Sequence, residues 1–239
     1  MSMNLDHASV QTDDAAPCAV RFDTVTAGPL QGVSFALGVG SVHFVTGVAG
    51  AGKSWLLDLI ADARPPEAGA ISLLGQEISR LKPAARPALR RRVGRVFQDL
   101  RLIEHLSVRD NAALSPLIAG IKPAAFGPDL TELLTWVGLA KHLESPAGDL
   151  KESDRRRLAI ARAMAGGPDI LLADEPAGDL EGPVRATLLR LLATLNRAGT
   201  TLIIATRDET IAARSGAPTL HLKDGELRRY EAAAREDGA

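Results

Sequence analysis

The 239-residue chain has 28 basic and 29 acidic side chains, and its formal charge of −1 argues against non-specific nucleic-acid binding, which needs a net basic surface. Hydrophobic residues make up 46% of the chain, within the globular range, and no run approaches the ~20 apolar residues that span a bilayer. A single cysteine, Cys18, excludes an internal disulfide, and the N-terminal residues show no signal-peptide pattern. We therefore expect a cytoplasmic protein that meets a membrane only through a partner.

The first half of the chain is predicted to be mainly strands. Residues 1–18 are polar and rich in small side chains, which predicts a disordered tail. Hydrophobic patterns typical of strands follow at 20–22, 33–37, 42–46 and 71–74. The third strand is apolar and stops at a glycine-rich turn, and an amphipathic helix follows this turn at once. The arginine-rich segment 84–95 is predicted to be helical, with a solvated face.

The second half favours helices and then a parallel sheet. Residues 105–165 are predicted to be helices interrupted by prolines. Apolar strands at 170–173 and 202–205 enclose a helix over 184–196, an arrangement typical of a parallel sheet covered on both faces. Asp224-Gly225 indicates a terminal hairpin. The last nine residues, 231–239, are predicted to form a frayed tail.

The glycine-rich turn matches the phosphate-binding pattern G-x-x-x-x-G-K-[ST]. Its residues are Gly47, Val48, Ala49, Gly50, Ala51, Gly52, Lys53 and Ser54. Glycines allow main-chain N–H groups to converge on an anion, and the following helix adds the positive end of its dipole. Lys53 is expected to reach the terminal phosphates, and Ser54 to ligate Mg²⁺. Without ligand we expect the Lys53 ammonium to face solvent.

Two carboxylates end the predicted strand 170–173. Asp174 is expected to lie near Mg²⁺ at the phosphate site, and Glu175 to act as general base on an attacking water. A strand ending in two acidic residues is a weak signal alone, because surface turns often show it. Together with the phosphate-binding turn, it predicts a site for ATP and Mg²⁺.

These motifs, spread over about 20–230, resemble those of the ABC ATPase family. The resemblance implies an α/β P-loop NTPase domain at 19–230, with a RecA-like core of mostly parallel sheet and a small antiparallel part. That core would comprise 19–98 and 166–230, and a helical subdomain would be inserted at 99–165. Residues 157–163 are similar to the helix after the family's signature, and 177–181 to its D-loop.

The resemblance also implies roles at the site. Gln98 matches the family glutamine that contacts Mg²⁺ and the attacking water, so Glu175, Gln98 and Lys53 would be catalytic. Ser54, Gln98 and Asp174 would hold the metal. ATP itself would be bound by 47–55, which includes Trp55, together with Gln98 and Asp174.

Four departures from the family pattern surround this site. Leu150-Lys151-Glu152-Ser153-Asp154 stands where the family has L-S-G-G-Q/E, and Arg207 replaces the switch histidine. Trp55 occupies a position that usually carries a hydroxyl. The aromatic residue that stacks on adenine is missing near Ala27 and Gly28. Because removing one preorganised donor typically costs roughly 10²–10³ in rate, these changes predict weak turnover.

The resemblance is strongest to family members that act in bacterial cell division. It implies dimerisation on ATP binding and an integral membrane subunit at the cytoplasmic face of the inner membrane. Two alternatives stay open: a nucleotide-gated scaffold with little hydrolysis, and an ATPase subunit of a lipoprotein or small-molecule exporter. The partner surface is expected within 98–126. In that range the side chains of Leu100, Leu102, Ile103 and Leu106 either form the core of the helical subdomain or receive a partner helix.

Overall fold

The computed structural model describes residues 18–178, 180 and 182–230. The predicted tails lie outside these residues, except for Cys18, which begins the first strand one residue before the predicted start of the domain. Asp179 and Glu181 of the predicted D-loop also lie outside them. Among the described residues, no helix has both the length and the hydropathy to cross a bilayer.

Ten strands and seven helices alternate in an α/β arrangement over the described residues. The strands are β1 (Cys18–Ala27), β2 (Leu30–Gly38), β3 (Val42–Thr46), β4 (Ala68–Leu73), β5 (Gln76–Glu77), β6 (Val93–Val96), β7 (Ile170–Asp174), β8 (Thr201–Ala205), β9 (Thr219–Lys223) and β10 (Glu226–Tyr230). The helices are α1 (Lys53–Ile60), α2 (Arg86–Arg90), α3 (Val108–Ile118), α4 (Pro123–Trp136), α5 (Glu152–Met164), α6 (Gly182–Arg197) and α7 (Glu209–Ser215).

The larger sheet places the phosphate motif beside the paired carboxylates. Its strand order is β10-β9-β3-β8-β7-β6, and every pair is parallel except the terminal hairpin β9–β10. All residues of β7 and β8 are buried, as expected for parallel strands covered by helices on both faces. Because parallel strands end at one edge, the turn after β3 and the carboxylates after β7 share that edge. The predicted mostly parallel sheet is therefore confirmed.

A second sheet is antiparallel, with the order β2-β1-β4-β5. Its apolar face packs with α1 and the larger sheet in one core cluster, in which Phe22 and Phe35 stack with ring centroids 4.6 Å apart. Few aromatic residues are available, so Leu, Ile, Val and Ala supply most of this core. The small antiparallel part implied by the family resemblance is present.

Helices α3, α4 and α5 enclose a separate apolar cluster. The fully buried Asn111 of α3 ties this cluster to the preceding loop: its amide donates to the carbonyls of Ile103, Leu106 and Ser107, and its oxygen accepts from the Ile103 N–H. Helices within 105–165 are thus confirmed, but not every proline interrupts them, because Pro116 lies inside α3 and Pro128 inside α4. Leu100 is buried in the core of the larger sheet and Leu102 packs against it, whereas Ile103 and Leu106 are only partly buried. Leu100 is therefore a core residue, but of the larger sheet and not of the helical subdomain.

The prediction of one helix over 84–95 is wrong. The helix α2 covers only Arg86–Arg90, and Val93–Val96 form the edge strand β6, paired in parallel with β7. Gly94 makes this possible, because a Cβ there would lie 2.5 Å from the Ala163 carbonyl oxygen at the end of α5. The arginine content suggested a solvated helix but carries no information about the alternation of buried and exposed positions in β6.

Candidate functional site

The turn between β3 and α1 is shaped by glycines with positive φ. Gly47, Gly50 and Gly52 have φ values of 143°, 81° and 103°, a region that side-chain-bearing residues rarely adopt. A Cβ on Gly47 would lie 2.4 Å from the Leu222 carbonyl oxygen of β9. Gly52 directly precedes α1, so the first unpaired N–H groups of that helix open onto the turn. The loop has the backbone character of an anion cradle.

The side chain of Lys53 folds back over this turn. Its Nζ donates to the carbonyl oxygens of Gly47, at 2.6 Å, and Val48, at 3.1 Å, and the residue is 8% exposed. The expectation that it faces solvent is wrong, because two loop carbonyls satisfy the ammonium in the absence of phosphate. Burial lowers the pKa of Lys53; the charge of Glu175 opposes this shift, and that of Arg207 adds to it.

A direct hydrogen bond joins the phosphate motif to the strand ending in Asp174. Ser54 Oγ donates to Asp174 Oδ2 at 2.7 Å, across 120 residues of sequence. Asp174 is 6% exposed, and burial raises the pKa of its carboxyl, against the hydrogen bond from Ser54 and the positive charge of Arg95. The two oxygens predicted to bind one metal are therefore adjacent.

Glu175 is held at its carboxylate and at its backbone. Its Oε1 accepts from the Arg207 backbone N–H at 2.7 Å and from Arg207 Nε at 3.1 Å, while Oε2 accepts from Thr206 Oγ1 at 3.1 Å. The residue has φ 45°, and its carbonyl accepts from the nearly buried Arg156 at 3.2 Å. The Glu175 side chain is 12% exposed, so its carboxylate is largely enclosed by these donors.

Two of the predicted site residues have side chains that form no hydrogen bond with this cluster. Gln98 is exposed in the turn after β6, and its side chain forms no hydrogen bond with the described part of the chain. Trp55 packs between the backbone of Gly28, where a Cβ would lie 2.8 Å from the ring, and the Arg64 guanidinium, 4.3 Å from a ring centroid. Its indole thus fills space beside Gly28, near which the family's aromatic residue was expected.

The segment that replaces the family signature begins α5 with acidic residues. Lys151 is the N-cap, and Glu152 and Asp154 lie in the first turn. Glu152 pairs with Arg156 at 2.9 Å. Carboxylates near a helix N-terminus stabilise the helix but repel an incoming phosphate. This helix end is therefore poorly suited to bind an anion.

Sequence reasoning missed three contributors to the site: Arg95, Arg156 and Thr206. Arg95 pairs with Asp58 at 2.5 Å, and its charge acts on Asp174. Recognising the segment as a strand would have placed Arg95 on the same face as Val93, which packs against the core cluster that contains α1. Arg156 and Thr206 carry no comparable sequence signal, because their partners lie 19 and 31 residues away.

We expect Asp174→Asn to stabilise the ligand-free protein and to weaken metal-dependent nucleotide binding. The pKa of Asp174 is higher in the folded than in the unfolded protein, so the folded protein favours the protonated carboxyl. The stability that this protonated form provides is complete below the ordinary aspartate pKa and is lost as pH rises through the pKa of the folded protein. At neutral pH the neutral amide should therefore raise the unfolding temperature, because it removes the cost of burying a charged carboxylate. Thermal unfolding with and without Mg²⁺-ATP checks both effects. A lower unfolding temperature for the ligand-free variant would contradict the burial argument.

The sequence is similar to known ATP-binding proteins over most of its length. Residues 30–178 match the family model described as ABC transporter. The chain is 39% identical over 198 residues to the cell division ATP-binding protein FtsE of Escherichia coli K12, covering 83% of this chain and 89% of FtsE. It is also 36% identical over 197 residues to the macrolide export ATP-binding/permease protein MacB 1 of Aeromonas hydrophila, covering 82% of this chain and 30% of that protein.

The fold is also similar to that of a solved ATP-binding cassette. The dimeric post-hydrolysis state of the ATP-binding cassette MJ0796, bound to ADP and Pi, superposes with a TM-score of 0.80. That match covers 90% of this chain and 99% of the cassette, at 27% identity.

Proposed function

The chain belongs to the ABC transporter family, and from that premise we propose that it is an ATP-binding subunit that hydrolyses Mg²⁺-ATP and acts on a membrane partner. The observation that carries the proposal is the 2.7 Å hydrogen bond between Ser54 Oγ and Asp174 Oδ2. It brings the phosphate motif and the distant carboxylate into one site. The further roles below rest on this convergence.

ATP is bound through its phosphates. The N–H groups of the turn 47–52 and of the first turn of α1 receive the phosphate oxygens, and Lys53 exchanges its two carbonyl partners for the terminal phosphates. Trp55, at the start of α1, contributes its backbone. Its ring, lying beside Gly28, occupies the region of the missing adenine-stacking residue.

The residues present suit a magnesium ion. Mg²⁺ prefers hard oxygen ligands and typically binds one or two protein oxygens together with substrate phosphates and water. Ser54 and Asp174 supply such a pair, and Gln98 is the third proposed ligand, since it follows β6, the neighbour of β7. When bound, the metal neutralises charge on the phosphate oxygens.

Glu175 is the proposed general base of hydrolysis. A water oxygen bonds to the terminal phosphorus of ATP, the bond from that phosphorus to the ADP oxygen breaks, and a water proton passes to the Glu175 carboxylate. Gln98 is proposed to orient this water, and Lys53 stabilises charge on the transferring phosphate. Measuring ATP turnover with and without the membrane subunit tests the whole proposal. Absence of both ATP binding and turnover would overturn it.

The proposed partner is an integral membrane subunit resembling FtsX, by analogy with the cell-division relative. The chain would lie on the cytoplasmic face of the inner membrane and would form a dimer when ATP is bound. An exporter role is the second candidate, favoured by the similarity to a macrolide exporter. A scaffold with little hydrolysis is the third, favoured by the altered signature segment and by the occupied Glu175 carboxylate.

A groove of about 500 Å³ between β6 and α3 is the proposed docking surface; we term it the arginine groove. Five arginines line it together with Phe97, Leu114 and the 79% exposed Ile118: Arg90, Arg91, Arg95, Arg101 and Arg162. The guanidinium groups of Arg95 and Arg101 lie 4.4 and 3.9 Å from the Phe97 ring centroid. Arg90, Arg95 and Arg101 pair with aspartates, whereas Arg91 and Arg162 have no carboxylate partner within the described residues. Apolar walls with these two arginines fit an acidic, amphipathic helix of the membrane subunit.

Reversing one charge in the arginine groove should separate docking from hydrolysis. Arg91 is exposed and forms no ion pair within the described residues, so Arg91→Glu should leave the fold and basal turnover unchanged. We expect it to reduce copurification of a co-expressed FtsX-like subunit at least about tenfold, because a like charge then opposes an acidic helix. Arg197→Glu, an exposed position on α6, is the matched control. Equal copurification of both variants would exclude this groove.

A further inference from the structure

The carboxylate of Glu175 accepts three hydrogen bonds from its own chain, and these bear on the hydrolysis proposed above. Each carboxylate oxygen has about two acceptor sites. Oε1 uses both of its sites, for the Arg207 N–H at 2.7 Å and for Arg207 Nε at 3.1 Å. Oε2 uses one, for Thr206 Oγ1 at 3.1 Å. Counting donors from the described residues, one acceptor site remains on the carboxylate for an attacking water.

The backbone gives Glu175 little freedom to move away from these donors. Its N–H donates to the Ala205 carbonyl at 2.9 Å, and its own carbonyl accepts from Arg156. Its φ of 45° is unusual for a residue with a side chain and is sustained by these surrounding contacts. The partner that can move is the Arg207 side chain, which is 56% exposed.

The three donors make different contributions. The Arg207 N–H and the Thr206 hydroxyl orient the carboxylate without adding net charge. The Arg207 guanidinium adds a full positive charge against the same oxygen, and a charge-assisted hydrogen bond is about twice as strong as a neutral one. This hydrogen bond holds the Glu175 side chain in place and occupies a position on Oε1 that an attacking water would otherwise use.

We propose that Arg207 is a positioning residue that restrains Glu175 and slows ATP hydrolysis, so that turnover rises when its side chain leaves the carboxylate. The inference rests on the proposed role of Glu175 as general base. The Arg207 side chain thus slows hydrolysis, while the backbone N–H of the same residue keeps the Glu175 carboxylate oriented as a base.

The test is steady-state ATP hydrolysis by Arg207→Gln and Arg207→Lys. Arg207→Gln keeps the backbone N–H and Thr206 contacts and removes the charge, so kcat should rise about tenfold, equivalent to ~1.4 kcal/mol, with KM changed less than about threefold. Arg207→Lys retains a charge without the fixed geometry of a guanidinium and should fall between the wild type and Arg207→Gln. Arg214→Gln, an exposed position on α7, is the control.

A double variant shows whether the gain passes through Glu175. Arg207→Gln combined with Glu175→Gln should return to the low rate of Glu175→Gln alone. Suppose that Arg207→Gln binds ATP and unfolds like the wild type. An unchanged or reduced kcat would then overturn the proposed restraint by Arg207 while leaving the proposed ATP site in place. Failure of the wild type to bind ATP would instead overturn the proposed function.

Discussion

Lys53→Ala is expected to weaken ATP binding by about a hundredfold or more while leaving the fold intact. The ammonium supplies charge-assisted hydrogen bonds to the terminal phosphates, each contributing roughly 1.5–3 kcal/mol, and two of them account for a loss of this size. In the ligand-free protein the same group donates to Gly47 and Val48. Isothermal titration calorimetry with Mg²⁺-ATP measures the effect.

The fold should survive this substitution because two effects on stability oppose each other. Removing Lys53 takes hydrogen bonds from two loop carbonyls, but it also removes an ammonium whose pKa is lowered by burial. Lys82→Ala, at an exposed position, serves as the matched control and should bind ATP like the wild type. Unchanged ATP affinity of Lys53→Ala would show that the turn 47–54 is not the phosphate site.

Glu175→Gln is expected to reduce ATP turnover by about 10²–10³-fold and to preserve ATP binding. The substitution removes the group that accepts the water proton, and general-base catalysis typically contributes 10²–10⁴-fold. The amide oxygen can still accept both Arg207 hydrogen bonds, and the amide NH₂ can donate to Thr206 Oγ1, so the loop after β7 should keep its shape. Phosphate release under saturating Mg²⁺-ATP gives the rate, and Glu226→Gln on β10 is a carboxylate control distant in sequence.

This result also decides between the catalytic and the scaffold readings. Equal turnover by the wild type and Glu175→Gln, with ATP bound in both, would exclude general-base hydrolysis and support the nucleotide-gated scaffold. A large loss would show that the carboxylate works in catalysis despite its three donors. In that case the altered segment 150–154 reduces the rate without abolishing it.

The parts of the site that follow from regular structure could be predicted from sequence. A glycine-rich turn between an apolar strand and an amphipathic helix, with a second apolar strand ending in carboxylates, requires both to lie at one edge of a parallel sheet. The structure agrees, because Ser54 donates a hydrogen bond to Asp174. The helices between β6 and β7 were also predictable, but their bounds were not, because Pro116 and Pro128 lie inside helices that they were expected to interrupt.

Contacts that depend on side-chain direction could not be predicted in this way. Lys53 is buried because it donates to the carbonyls of Gly47 and Val48, which point toward it only in the folded turn. The pairing of Arg207 with Glu175 joins the ends of the neighbouring strands β7 and β8 and depends on the extended reach of one arginine. Arg95 was misplaced because composition was weighed above the alternation of burial in a four-residue strand.

The most direct test of the central claim is a crystal structure of Glu175→Gln with ATP and Mg²⁺. The account predicts triphosphate against the main-chain amides of 47–54, Lys53 at its terminal phosphates, and one metal ion reached from both Ser54 and Asp174. Nucleotide bound at another surface, or a metal ion contacted by neither of those two residues, would contradict it.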